Sequence, residues 1–229
     1  MLHSKSIQTN NNYLQLEPIN YGELVRKYVS LVKRDINEKV NYSLYVDLCR
    51  YLHHAKIIDA KVDKQTLWLN QHFFMQEYNL AKALTSELQS RSLVPTYNTY
   101  HASEIAQLIV AANFSLTTKQ LKTMHHIILD IYQIINDHIS FSIDEKRLSV
   151  HSFIEHIKYL AYRIINRIDA HSDMSELATC YKEQFPKAAT CSAHIAAHIS
   201  EHYDFHLSDS EQLFLLFHIQ KLANIQSND

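Results

Sequence analysis

Residues 117–139, TTKQLKTMHHIILDIYQIINDHI, carry the pattern that decides the fold. Thr117 followed three residues later by Gln120 is a capping box, whose side chains satisfy backbone N–H groups left open by a first helical turn. Beyond it Leu121, Met124, Ile128, Ile131 and Ile135 recur every three or four residues, which lays one apolar stripe along a long helix.

The same pattern extends in both directions. Upstream, Asn20 with Glu23 opens a helix whose stripe is Val25, Tyr28, Val29, Val32 and Ile36. A second helix is expected over about 41–57 through Leu44, Tyr45, Leu48, Leu52 and Ala55, a third around Leu67-Trp68, and a fourth over about 76–91. Pro95-Thr96-Tyr97-Asn98 reads as a loop, and a fifth helix carries Ile105, Leu108, Ile109 and Ala112. Downstream, a turn around Asp144–Arg147 leads to a stripe of Phe153, Ile157, Leu160, Ala161, Ile164 and Ile168. A loop at 169–173 precedes a short helix ending near Phe185-Pro186, and helices over about 187–204 and 209–224 close the chain, the last opened by Ser208-x-x-Glu211. Five helices, a short link near Asn113–Leu116 and five helices again imply an all-α chain of two tandem five-helix bundle domains. The expected boundaries are a flexible arm at 1–18, a first domain at 19–114 and a second at 115–229.

Composition agrees. Gly22 is the single glycine among 229 residues, beside three prolines, so no glycine-rich phosphate loop or dinucleotide fingerprint can be built. The formal net charge of −2 supplies no field to hold a polyanion, and direct nucleic-acid binding by this chain is not expected. Cys49, Cys180 and Cys191 are odd in number and scattered, which argues against a disulfide framework or zinc ribbon and fits a reducing, cytoplasmic setting. No apolar run approaches the roughly 18 residues of a membrane span.

The sixteen histidines are the feature that composition leaves open. His3, His72, His101, His171 and His206 fall in no pattern. His194, His198 and His202 repeat every four residues on one helix face, but no glutamate follows the first of them as a zinc protease motif requires. They read as a solvent-facing stripe, and no metal or other cofactor is expected. His53-His54 and His125-His126 are neighbours about 100° apart on a helix, too far round to act as joint ligands. His156 lies on the flank of the stripe between Phe153 and Leu160. His218 sits inside Leu213-Phe214-Leu215-Leu216-Phe217-His218-Ile219, apolar nearly all round, which implies burial or an interface. By periodicity alone either one is a satisfied core histidine.

The second half resembles the PTS regulation domain of the BglG/LicT transcriptional antiterminators. The matching residues are His156-Ile157-Lys158-Tyr159-Leu160 with Arg163, then Tyr181-x-x-x-Phe185-Pro186-x-Ala188 and Cys191, then Ser208-x-x-Glu211-x-x-Phe214-Leu215-x-x-His218-Ile219. The first half is similar more weakly, through Tyr45-x-x-Leu48-x-x-x-Leu52-His53, Leu67-Trp68, Phe73-Phe74-x-Gln76-Glu77-Tyr78 and Ile105-Ala106. There the family's Asp-His pair falls on Arg50-Tyr51, its closing-helix histidine on Leu108, and its acidic cap on Asn98-Thr99-Tyr100-His101.

The resemblance implies a regulatory module, not an enzyme, that senses sugar availability. Histidines accept a phosphoryl group from the phosphocarrier protein HPr or a sugar-specific enzyme II, and a homodimer rearranges in response. It places the acceptors at His156 and His218, with Arg163 as a phosphoryl partner and Lys158 and Lys221 as nearby cations. His53, His54 and His138 are weaker candidates, the last within Asp137-His138-Ile139-Ser140-Phe141, too far from Phe185-Pro186 for the motif it resembles. Family antiterminators carry a small RNA-binding domain ahead of these modules, and fewer than twenty residues precede the first helix, so this chain is expected to lack it. The alternatives are a scaffold for protein interaction that has lost its sensing, and a histidine-rich metal-dependent enzyme.

Overall fold

The computed structural model describes residues 21–40, 42–55, 61–91, 98–139, 143, 147–169 and 174–226. Among them ten helices follow one another and no strand occurs: α1 Tyr21–Asp35, α2 Ser43–His54, α3 Lys64–His72, α4 Met75–Arg91, α5 Thr99–Asn113, α6 Thr118–Ile139, α7 Leu148–Asn166, α8 Ser175–Gln184, α9 Pro186–Tyr203 and α10 Asp209–Gln226. The all-α expectation is met. The arm at 1–18, the Asn20 cap and most of the turn at 144–147 lie outside the described residues.

Local chemistry sets the helix boundaries. Thr117 and Gln120 close their box in both directions: the Thr117 N–H donates to Gln120 Oε1 at 3.0 Å and the Gln120 N–H to Thr117 Oγ1 at 3.3 Å. The N–H of Thr66 donates to the Asp63 carboxylate at 2.9 Å, starting α3. Asn98 caps α5, where His101 at the third helical position completes a box by accepting the Asn98 N–H on Nδ1 at 3.3 Å. Pro186 occupies the first turn of α9, where a missing N–H leaves no bond unmade. With one glycine available, α7 and α9 end on Arg167 and Asp204 in the left-handed conformation that glycine usually takes. α2 is shorter than the expected 41–57, because Ala55 is already extended.

The stripes pack as expected apart from Ile168, which lies beyond the end of α7 and is 43% exposed. Val25, Tyr28 and Val32 of α1 join Leu44, Leu48 and Leu52 of α2 and residues of α4 and α5 in one buried cluster. A second cluster gathers the interior of α6, α7, α9 and α10, and it also takes in Leu69, Phe73, Phe74, Val110 and Phe114 from the first half. Trp68 meets the tilted ring of Tyr132 of α6 at 4.6 Å, and Phe114 meets the rings of Tyr159 and Tyr162 at 5.8 and 5.9 Å. Residues of α3, α5 and the α3–α4 junction therefore share an apolar seam with the core of the later helices.

Candidate functional site

α7 and α10 pack against each other, and the pairings of Arg163 with Glu211 and of His156 with His218 make them antiparallel where they meet. His156 and Arg163 are seven residues apart, two turns along one face of α7, and Glu211 and His218 are spaced identically on α10. The antiparallel crossing sets Arg163 beside Glu211 and His156 beside His218. Arg163 Nη2 lies 2.6 Å from Glu211 Oε1, and the two imidazole centroids are 4.8 Å apart. His156 Nε2 is 3.9 Å from Glu211 Oε2, too far for a hydrogen bond. Phe214 and Phe153 complete the walls, against His156 at 6.2 Å and His218 at 6.3 Å.

This cluster is largely buried and incompletely satisfied. The His156 side chain is 14% exposed and that of Glu211 5%. His156 Nε2, His218 Nδ1, Arg163 Nε and Glu211 Oε2 are all buried with no hydrogen-bond partner. Leaving such an atom unpaired costs about 1–3 kcal/mol, so four in one place call for an explanation other than packing. Burial, with His218 and Arg163 adding repulsion, pushes the His156 imidazole down to about 3. Burial and Lys221 push His218 down to about 4. Burial raises the Glu211 carboxyl above its ordinary value, against the pull of Arg163. Near neutral pH both rings are thus uncharged, each with a nitrogen lone pair, beside one guanidinium and one carboxylate.

The sequence singled out three of these four. Glu211 is expected as the cap of α10 and as part of the resembled motif, without a role in the site: its N–H does donate to Ser208 Oγ at 3.3 Å, but its carboxylate is committed to Arg163 across the interface. Its match in spacing to His218, mirroring His156 and Arg163, was the available signal. Lys158, expected as a nearby cation, is not in the cluster. It pairs with Glu155 at 2.6 Å and lies 5.8 Å over the Phe74 ring, with 9% of its side chain exposed. Lys221 does act on His218 through its charge.

The remaining candidates lie elsewhere. His53 and His54 are exposed at the end of α2, their rings 5.2 Å apart. His138 sits on the seam between α6 and α9, its Nδ1 2.7 Å from the Ile134 carbonyl and its Nε2 2.9 Å from His194 Nδ1. Of the stripe on α9, His194 and His202 are exposed as expected, and His198 is half-buried against α6. His198 Nε2 lies 3.0 Å from Asp130 Oδ2, the Tyr203 hydroxyl donates to that oxygen at 2.6 Å, and His202 stacks on His198 at 4.0 Å. Among the described residues no three or more metal-ligating side chains are grouped to hold an ion, and no helix is long and apolar enough to cross a membrane.

In the first half the corresponding positions hold different chemistry. Tyr51, where the resembled motif has its Asp-His pair, meets the ring of fully buried His101 at 6.3 Å, and His101 is the third residue after its cap, as Glu211 is in α10. Leu108 replaces the second imidazole and packs against the first core.

Comparison with known proteins adds the following. The family model of the PRD domain matches residues 129–222, which span most of α6 through α10. The chain is 25% identical over 211 residues to the transcription antiterminator LicT of Bacillus subtilis (strain 168), a match covering 90% of this chain and 75% of that protein. It is 23% identical over 219 residues to a beta-glucoside operon antiterminator of Dickeya chrysanthemi, covering 93% of this chain and 76% of the relative.

Proposed function

We propose that this chain, a PRD-domain protein related along nine-tenths of its length to the transcription antiterminators, is a phosphotransferase-responsive switch that controls antitermination or transcription of sugar-utilisation genes from the cytoplasm. The observation that carries the reading is the buried side-chain cluster between α7 and α10, where four polar atoms of His156, His218, Arg163 and Glu211 have no partner.

The chemistry follows from that arrangement. A neutral imidazole offers a lone pair to the phosphorus of a phosphocarrier protein such as HPr, or of a sugar-specific enzyme II. The modified ring then carries about −1.5 to −2 charge and three acceptor oxygens. Arg163 is the cation at hand, and it is held by Glu211. Bringing Arg163 to the phosphoryl group leaves Glu211, 5% exposed, beside a new anion, so the α7–α10 packing must rearrange. Those two helices supply the exposed Tyr159 and Phe214, surfaces through which a homodimer would sense the change. The first half, with Tyr51, His101 and Leu108 in place of the acceptor set, serves as a scaffold for dimer and seam. His53, His54 and His138 have no comparable pocket and remain secondary candidates. On this reading the chain is not an enzyme and needs no cofactor.

The test is phosphoryl transfer. The chain is incubated with enzyme I, HPr and radiolabelled phosphoenolpyruvate, beside His156→Ala, His218→Ala and the double variant. Acid-labile label that falls in the variants is expected, and a wild-type chain that stays unlabelled would end the sensing reading.

A further inference from the structure

The seam between α6 and α9 brings two imidazoles nitrogen to nitrogen. His138 Nε2 lies 2.9 Å from His194 Nδ1, the ring centroids are 4.9 Å apart, and both residues are exposed. The other nitrogen of His138 fixes its tautomer. Nδ1 lies 2.7 Å from the Ile134 carbonyl, which can only accept, so the neutral ring carries its proton there. Nε2 is left with a lone pair directed across the seam. A ring whose second nitrogen donates to a backbone carbonyl is the usual setting of a metal-bound histidine, because that bond orients the ring and raises its basicity. The rest of the α9 stripe is engaged elsewhere. His198 Nε2 faces Asp130 Oδ2 at 3.0 Å, the oxygen that also accepts from Tyr203, while His202 Nδ1 lies 3.1 Å from the His198 carbonyl and its ring stacks on His198. His194 therefore meets an imidazole across the seam instead of one turn along its own helix.

We propose that His138 and His194 form a two-imidazole site for a divalent transition-metal ion such as zinc, which clamps α6 to α9. A metal about 2.0–2.1 Å from two imidazole nitrogens holds them about 2.9 Å apart at a right angle and about 3.3 Å apart at the tetrahedral angle. The observed 2.9 Å lies within a small ring rotation of both. Without metal the two rings share the His194 proton in an N–H···N bond. Binding moves that proton from Nδ1 to Nε2 of His194 through solvent, so two lone pairs face the ion and no proton is released overall. Imidazole suits zinc, copper and nickel, whereas magnesium and calcium take oxygen ligands, so the site separates the two classes. With two protein nitrogens bound, water fills the remaining positions. The ligands are 56 residues apart in sequence, so the chelate exists only in the folded chain and metal binding stabilises it. The site is separate from the α7–α10 cluster, and the proposal goes beyond the phosphotransferase reading without resting on it.

The full chain is titrated calorimetrically with zinc chloride in a non-chelating buffer, with magnesium chloride as control, and its thermal unfolding is followed with and without zinc. His138→Ala, His194→Ala and His202→Ala chains are treated alike after their helix content is checked by circular dichroism. Both proposed ligands are exposed, so their substitution leaves the cores intact. The wild-type chain is expected to take up one zinc that depends on both rings, to ignore magnesium, and to unfold at a higher temperature with zinc. His138→Ala and His194→Ala should each weaken that uptake at least about tenfold, the loss that even an outer-shell change brings, and abolish the thermal shift. His202→Ala should keep both. A wild-type chain that takes up no zinc overturns the proposal. So does uptake that persists undiminished in His138→Ala or falls as far in His202→Ala, because the ion would then belong to the α9 stripe.

Discussion

Removing Arg163 gives the clearest test of the pocket's electrostatics. Glu211 is 5% exposed and its partner 25%, with 2.6 Å between them. Breaking a buried ion pair from one side costs about 3–5 kcal/mol, because the remaining charge is left without its partner. Partial exposure of Arg163 puts the expected loss for Arg163→Ala near the lower end, about 3 kcal/mol at neutral pH. The stranded carboxylate can escape only by taking a proton. Burial already raises its folded-state pKa above the ordinary 4.5, and losing Arg163 raises it further. A carboxyl with a raised folded pKa binds more protons folded than unfolded, so the variant regains stability as pH falls from that raised value toward 4.5. The deficit relative to wild type should therefore shrink, by at most about 1.4 kcal/mol per pH unit. Urea unfolding followed by circular dichroism, at neutral pH and about two units lower, measures both quantities. Adding Glu211→Gln to Arg163→Ala should recover part of the loss at neutral pH. A deficit equal at both pH values, or one that Glu211→Gln deepens, would refute the claim that a buried carboxylate depends on Arg163.

Two further outcomes follow from the packing and the buried imidazoles. Burial and the neighbouring His126 hold His125 down to about 4 against an ordinary 6.5. The unfolded chain thus binds the extra proton first, and stability is lost as pH falls from about 6.5 to about 4, with His125 alone contributing on the order of 3 kcal/mol. A titration of unfolding free energy should show that slope reduced in His125→Gln, and an unchanged slope contradicts the assignment. Phe74, fully buried in the core of the second half and 5.6 Å from His125, should cost about 3–5 kcal/mol on truncation to alanine and lower one common transition. Two separate transitions in Phe74→Ala, with only the earlier one moved, would show that the seam does not couple the halves.

The helices were legible because their signals are local. Thr117-Gln120, Asn98 and Pro186 act within one turn, and the stripe on α6 needs only its own period of 3.6 residues. The end of α2 was misplaced by three residues, since Ala55 continues the apolar pattern while its backbone is extended. His101 falls in no pattern among the histidines and is legible only as part of the stretch at the resembled cap, yet at the third position after Asn98 it completes a cap and is fully buried. Histidine is an unusual partner in that box, so the residue type concealed its role.

His156, Arg163 and His218 could be named from their order and spacing within a resembled motif, yet nothing in that order says which atoms meet. Periodicity specifies that His156 and Arg163 share a face of α7 and that Glu211 and His218 share a face of α10. Only the antiparallel crossing of the two helices joins those faces into one pocket, pairs Arg163 with Glu211 instead of with a solvent anion, and turns Lys158 toward Phe74. Helix formation depends on residues three and four apart, which the sequence displays. The charge balance of the pocket depends on residues about 55 apart meeting in a low-dielectric interface, where desolvation and Coulomb terms change with every ångström. Sequence alone therefore determined which residues lie on each face, and tertiary packing decided which faces met and what chemistry their meeting allows.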